Sequence, residues 1–410
     1  MVSFVRNICN QRWLSLAGFI LVILGGCALG PKVLKSHRPL YNQAVQRSAN
    51  EELLLNLVRV RYREPVRFMQ IGSITSNFSY TADLSLTGTV PADGAKAFSS
   101  GVRVGYRDTP TLTYTPLEGE RFVSQIMKET PVAVFILLVR GGWRIERVMR
   151  IAIDRMAELY NSPQIESYAR FIKLAKMWDK LQARGNLTFV KVPDAGYVVA
   201  ERVPTEEVRL WSHLTTDKGG YALEPRKDGH YRLRKLTGFT VVMELRYANA
   251  AEADQADAAL GLNPKRRAGP NGSVIQWLWL TDPIDIYKFE TEAKEVTRVP
   301  VWLRSFFNQL FYAARSLALP PGDEKRTRIF RNAQGEPIDQ RSFLLDLLDI
   351  RFSKTRPEDA FVSVRYRDTW FYIEDQNWQS KDTFNLLLVI FELQSNVEPT
   401  SPVLTIPVGG

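Results

Sequence analysis

Two stretches decide the fold: Ile74–Val90, ITSNFSYTADLSLTGTV, and Phe98–Tyr114, FSSGVRVGYRDTPTLTY. One face of the first carries Ile74, Phe78, Tyr80, Ala82, Leu84, Leu86 and Val90, interrupted only by Ser76 and Gly88. The other face is Thr75, Asn77, Ser79, Thr81, Asp83, Ser85, Thr87 and Thr89, polar throughout. Strands point successive side chains to opposite faces, so a period of two predicts a long two-faced β-hairpin here. Pro91-Ala92-Asp93-Gly94-Ala95-Lys96-Ala97 supplies the turn. Symmetry about Gly94 sets Leu86 opposite Val102, Leu84 opposite Val104 and Ala82 opposite Tyr106, so apolar meets apolar across the strands.

Outward from the hairpin, the chain reads as α+β: an N-terminal helix, the long amphipathic hairpin, a helical subdomain and a mixed α/β C-terminal domain. A helix is expected from about Tyr41 to Tyr62, with Ser48 and Glu51 at capping-box spacing and Glu64-Pro65 as its stop. After Tyr114 the apolar period lengthens to about 3.6. Helices are expected over Leu117–Met127, Val132–Val139, Trp143–Leu159 and Tyr168–Leu181, the third carrying Ile145, Val148, Met149, Ala152, Met156 and Leu159 on one stripe. Beyond Leu187 strands are expected over Leu187–Val192, Tyr197–Val203, Phe239–Tyr247, Val274–Leu280 and Ile284–Phe289. Tyr221–Leu236 reads as a hairpin turning at Asp228-Gly229, and Phe361–Arg367 with Thr369–Glu374 as another. Helices are expected over Ala250–Leu260, over Val301–Leu319 and, capped by Ser380 or Asp382, over Phe384–Leu393. Val403–Val408 reads as a closing strand. The segments are then 1–26, 27–40, 41–186 (helix, hairpin and helical subdomain) and 187–410 (the mixed domain).

The first two segments concern export. Arg6 and Arg12 precede an apolar run, Trp13–Leu24, that ends in Leu24-Gly25-Gly26-Cys27. A basic start, a short apolar core and small residues describe a secretory signal peptide, and the run is short for a membrane-spanning helix. Cys directly after Leu-Gly-Gly resembles a bacterial lipobox. That resemblance implies cleavage before Cys27, lipidation of its thiol and a signal peptide over 1–26, with 27–40 as lipid anchor and tether. Ala28 after the cysteine, rather than Asp, implies the outer membrane by the proteobacterial sorting rule, with the body in the periplasm. The stretches NEELLLNLVRVRYREP (50–65), PTLTYTPLEGERF (110–122) and TWFYIEDQNWQSKDTFNLLL (369–388) resemble a family of uncharacterised bacterial lipoproteins. No function comes with that resemblance.

Composition agrees with a folded exported body. Of 410 residues 45 % are hydrophobic and 24 % charged, ordinary values for a globular chain. The two cysteines are Cys9, within the signal peptide, and Cys27. The mature body therefore has no thiol for a disulfide, a metal or nucleophilic attack. The formal charge of +10 loses Arg6 and Arg12 with the signal peptide and falls to +8. Such an excess favours anionic lipid headgroups. It is spread along the chain, with one local cluster, Lys265-Arg266-Arg267, in an apparent solvated loop over Asn263–Gly272. Nucleic acid is not an expected partner of an exported lipoprotein.

The residues for catalysis do not assemble in the sequence. The three histidines, His37, His213 and His230, have no partner at metal-ligand spacing, and no nucleophile elbow or phosphate-binding glycine loop is present. Asp346 with Asp349, or Glu374 with Asp375, would be the carboxylate pairs of a glycosidase, but nothing sets them across a cleft. The aromatic group Trp370, Phe371, Tyr372 and Trp378 reads first as core, with Trp378 the one to test for exposure. A non-enzymatic protein without cofactors or metals is expected.

Two readings of the hairpin follow. In one, it packs on its own body, and the protein is a monomeric periplasm-facing scaffold or assembly factor of an envelope complex. In the other, Phe78, Tyr80, Leu84, Leu86, Val102, Val104 and Tyr106 face lipid, and the small hydroxylated face lines a lumen. A single hairpin would leave unpaired edges in hydrocarbon, so the second reading demands an oligomer with a shared barrel. That architecture resembles, in pattern, curli-type secretion channels and pore-forming toxins. The neutral polar face of the ascending strand, with Asp83 its one charge, tilts the balance toward the membrane.

Overall fold

In the computed structural model, the described residues are 29–89, 97–193, 197–211, 220–235, 238–283, 296–328, 330–331 and 334–395. The chain is α+β and divides into two units by its internal packing. One comprises 1–62 and 313–388, the other 63–312 and 389–410. These units cut across the sequence-based division at 186/187, because the N-terminal helix shares its core with residues far along the chain.

The first unit is built on α1 (Leu29–Arg61) and a three-stranded sheet. Its strands are β13 (Arg351–Ser353), β14 (Ala360–Tyr366) and β15 (Thr369–Glu374), in the order β13-β15-β14. Leu53, Leu54, Leu57 and Val58 are buried, as are Val362, Val364, Phe371 and Ile373 of the sheet. The Tyr62 hydroxyl donates to Asp323 Oδ2 at 2.6 Å, and burial, then this carboxylate, push its pKa up. Helix α1 starts a dozen residues before the expected Tyr41 and takes in most of the expected tether. Pro31 lies in the first turn, where its missing N–H costs nothing, and Pro39 is carried inside the helix. The Ser48–Glu51 spacing thus falls within a continuous helix. The unit also contains the first part of the apolar helix α8 (Trp378–Gln394). Its cap is Asn377, whose Oδ1 accepts from the Ser380 N–H at 3.0 Å, in place of Ser380 or Asp382. Ser380 instead sits in the core, its hydroxyl accepting from the Asp349 N–H at 2.8 Å.

The second unit contains the hairpin β1 (Phe68–Thr89) and β2 (Ala97–Leu117). Four helices follow: α2 (Glu120–Met127), α3 (Val132–Arg140), α4 (Ile145–Ala152) and α5 (Tyr168–Ala183). The main sheet has the order β4-β3-β12-β11-β9-β5, where β3 is Ile153–Met156, β4 Leu159–Tyr160, β5 Leu187–Pro193, β9 Phe239–Tyr247, β11 Val274–Thr281 and β12 Val296–Leu303. A smaller sheet, β6-β8-β7, joins Tyr197–Val203, Tyr231–Lys235 and Tyr221–Pro225. Helix α6 (Ala250–Leu260) has its expected bounds, with Asn249 Oδ1 accepting from the Glu252 N–H at 2.9 Å.

Two expected helices give way to strands. The Trp143–Leu159 helix ends at Ala152, and its stripe continues as β3, where Met156 pairs with Val301 and Arg155 with Trp302. Ala157, at φ +49°, turns the chain into β4. Met156 and Leu159 are buried all the same, so the apolar stripe was legible while its period was not. Val301–Leu303 belong to β12, which runs parallel to β11, and the helix that follows, α7, is only Phe306–Ala313. The Asn263–Gly272 loop contains a short strand, β10 (Arg266–Ala268), antiparallel to β11. Arg266 binds Asp254 Oδ1 at 2.7 Å and also Asp257, while Arg267 lies over the Trp277 ring at 4.2 Å. Two residues of the basic cluster read as a solvated loop, Arg266 and Arg267, therefore have internal partners, while Lys265 is exposed. The expected strands Ile284–Phe289 and Val403–Val408 lie outside the described residues.

Candidate functional site

The hairpin strands are 22 and 21 residues long, which at ~3.4 Å per residue is a ribbon of about 70 Å. Beyond one irregularity its register is continuous from Ser73↔Thr113 to Thr89↔Ala97. Tyr80 lies opposite Tyr106, Ala82 opposite Val104, Leu84 opposite Val102 and Leu86 opposite Ser100. The expected pairs of Leu86 with Val102, Leu84 with Val104 and Ala82 with Tyr106 are thus displaced by two residues. A slip of two, unlike a slip of one, keeps every residue in its own row, so the apolar row still meets the apolar row. Two of the candidates are exceptions, since Phe78 stands opposite Asp108 and Leu86 opposite Ser100.

The irregularity lies between Ile71 and Ser73, at Gly72. An extra residue in one strand changes its parity. Met69 and Ile71, odd-numbered, therefore share a row with Pro116 and Tyr114, the same β2 row that meets Ile74, Ala82 and Leu84 further out. Met69 is 49 % exposed and Tyr114 45 %. Arg103, Thr111, Thr113 and Thr115, in the alternate row of β2, are exposed as well.

The root of the ribbon is clamped. Phe68 is 3 % exposed, stacked on Phe391 with ring centroids 4.4 Å apart and flanked by Phe306 at 6.1 Å and Phe122 at 6.2 Å. Gly119, at φ +91°, turns β2 directly into α2, where Phe122 sits. A buried polar network lies close by in sequence. The Thr130 hydroxyl donates to the Arg304 carbonyl at 2.7 Å and accepts from Gln309 Nε2 at 3.0 Å and from Gln394 Nε2. Gln125 Nε2 donates to the Gln394 carbonyl. Arg304 is wholly buried, donating to the carbonyls of Arg150, Ile151 and Asn161 at 2.8–3.2 Å with its guanidinium 4.0 Å from the Tyr312 ring centre. Burial pulls its pKa down from the usual arginine range. Sequence reading missed this network, which is assembled from polar residues far apart in the chain.

Among the described residues no third strand pairs with either edge of the ribbon, and no other element runs along it beyond its root. The outer edges of β1 and β2 thus have no strand partner among the described residues, which leaves them open to pairing with another chain.

The other candidates fall elsewhere. Cys27 and His213 lie outside the described residues. His230 follows the β7–β8 turn, its N–H donating to Asp228 Oδ1 at 3.3 Å. Asp349 is held by Arg341 at 2.5 Å and Arg351 at 2.8 Å, Arg351 also binds Glu374, and Lys381 binds Asp375 at 2.7 Å. These carboxylates are ion-pair partners. Phe371 is core, Trp370 and Tyr372 are half-buried, and Trp378 is 58 % exposed at the start of α8. Among the described residues no group of three or more His, Cys, Asp or Glu could hold a metal ion, and no helix is long and apolar enough to cross a membrane. Compared with known proteins, the chain matches no family model, no curated protein and no solved structure.

Proposed function

We propose that this chain is a non-enzymatic, lipid-anchored outer-membrane protein that oligomerises through its hairpin, each copy giving two strands to a shared transmembrane barrel of an export channel. The observation that carries the reading is the ribbon's two unpaired edges, since a two-stranded ribbon of this length is not a stable end state in either water or lipid. Pairing edge to edge around a ring would satisfy both edges at once.

The register adds a length argument. Between the Tyr80↔Tyr106 pair and the Gly88↔Phe98 pair the row carries Ala82, Leu84 and Leu86 against Val104, Val102 and Ser100, with aromatic residues at each end. Eight residues at ~3.4 Å, tilted by about 40°, rise on the order of 20 Å, close to the apolar band of outer-membrane barrels. Nearer the root, Asp108, Pro110 and Ser76 interrupt the row, as suits a segment outside hydrocarbon. The mature N-terminus at Cys27 would hold each copy at the bilayer surface, with the body in the periplasm. The scaffold reading asks for a surface of the chain's own body along the ribbon, and none of the described elements provides one.

The test is extraction from membranes in mild detergent, followed by electrophoresis without heating and by imaging of particles. A heat-sensitive oligomer that appears as a ring is expected, and conductance should follow its reconstitution. Monomeric particles, with the hairpin protected from protease after Cys27→Ala, would sink the proposal.

A further inference from the structure

Within the unit formed by 1–62 and 313–388 lies a cleft of about 760 Å³ that the export reading does not use. Helix α1 forms one wall with Gln43, Gln46, Arg47, Asn50 and Glu51, whose spacing of three and four makes a single stripe. The opposite wall is Arg356–Glu358 and the beginning of β14.

Two features of this cleft point to a ligand. First, Asn50 is 6 % exposed, and its Oδ1 has no hydrogen-bond partner. A buried acceptor is seldom left unmatched, because its lost hydration is not replaced. Its Oδ1 calls for a donor from outside the chain. Second, Ala360, Phe361, Val362 and Ser363 all line the cleft. Side chains of consecutive strand residues leave on opposite faces, so even with the register irregularity at Phe361 the cleft must run along the strand's edge. Among the described residues that edge has no strand partner, since β14 ends the β13-β15-β14 sheet and pairs only with β15. Pairing alternates from the two-residue turn Arg367-Asp368, with Tyr366 opposite Thr369, which turns the Ser363 N–H and C=O away from β15.

We propose that the cleft is a peptide-binding site, in which an extended segment of a partner protein adds to the β14 edge and donates a backbone N–H to Asn50 Oδ1. Main-chain pairing of this kind gives affinity, and the flanking side chains give selectivity. Arg47 and Arg356 on one hand, Glu51 and Glu358 on the other, select a segment that carries both charges. A saccharide could satisfy Asn50 with a hydroxyl, but it offers nothing to a strand edge that alternates donor and acceptor.

The test uses the detergent-extracted full-length chain and a phage library of random dodecapeptides, with the enriched peptide then measured by fluorescence anisotropy. One peptide per chain is expected. N-methylation at alternate backbone positions should weaken binding at least about tenfold, and methylation at the intervening positions should leave it intact. Asn50→Leu should weaken it by about tenfold, equivalent to one hydrogen bond. Arg47→Glu, at an exposed position that folding does not depend on, should shift the charges of the peptides enriched. Failure to enrich any peptide over the Asn50→Leu chain, indifference to N-methylation, or Asn50-dependent binding on a glycan array instead would each overturn the proposal. A Leu84→Arg chain should bind the peptide unchanged, so failure of the export reading and failure of this one are separate results.

Discussion

Two of the chain's hairpins meet opposite fates. β14–β15 is short, seven and six residues, and its burial alternates, with Val362, Val364, Phe371 and Ile373 inside and α1 lying against β14. β1–β2 is three times longer, it alternates just as regularly in sequence, and none of the other described elements runs along it beyond its root. Alternation states that a strand has two faces but not who covers the apolar one. For β14–β15 the cover comes from the same chain. For β1–β2, on the proposed reading, it comes from lipid and from other copies.

The comparison is broken most forcefully at the covered hairpin. Phe371→Ala empties a fully buried aromatic site touched by Tyr62 and Tyr366, and should cost about 3–5 kcal/mol in urea unfolding. Leu84→Ala, on the uncovered ribbon, should change the same measurement by less than ~0.5 kcal/mol, as at an ordinary surface site. If the two substitutions cost alike, the ribbon has a cover within its own chain and the contrast disappears. Leu84→Arg is the next largest effect. A charge at mid-bilayer on the lipid side of a barrel strand costs about 2–4 kcal/mol per copy. The heat-sensitive oligomer should therefore be lost while the fold of the monomer, followed by circular dichroism, is kept. Ser85→Arg, in the alternate row, should spare the oligomer, and equal loss from both would remove the distinction between the two faces.

A smaller effect tests the end of the covered hairpin. Asn377 follows β15 by three residues and caps α8. Asn377→Ala should cost about 1 kcal/mol in the same unfolding assay, and Asn377→Ser should restore most of it. No change on Asn377→Ala would mean that the Ser380 N–H finds another acceptor.

How much of this was legible in the sequence depended on the range of the interactions involved. Period two marked both hairpins, and local capping and helix-forming composition gave α6 its bounds. The ribbon's faces were legible, but its register was not, because a slip of two residues moves no side chain to the other face. Non-local pairing explains the larger errors. Ile153–Met156 carries helical spacing but becomes a strand because β12 pairs with it from 145 residues further along, Met156 against Val301. Val301–Leu303 was read as helix for the corresponding reason, since its strand partner is β3, far back in the sequence. The root network of Thr130, Gln309 and Gln394 left no pattern at all, because one polar residue per element has no period.

Glu129 gives the smallest and most localised test, next to Thr130 in that root network. It bridges to Ser305, and partial burial, then the charges of Asp282 and Asp154, raise its pKa above the usual glutamate range. The folded chain thus holds this proton more tightly than the unfolded chain. Well below the usual range both states are protonated and Glu129 costs nothing. As pH rises through that range the unfolded state ionises first, so stability is lost until the raised value is passed. Glu129→Gln removes this penalty. It should leave the melting temperature unchanged near the acid end, where both states are protonated, and raise it slightly at pH 7, for a stability gain of less than about 0.5 kcal/mol at so exposed a side chain. A gain that is larger in acid than at neutrality would mean that the Glu129 carboxylate stabilises the root when charged, contrary to the raised pKa, and would transfer the weak point of the clamp to the neutral Thr130 network.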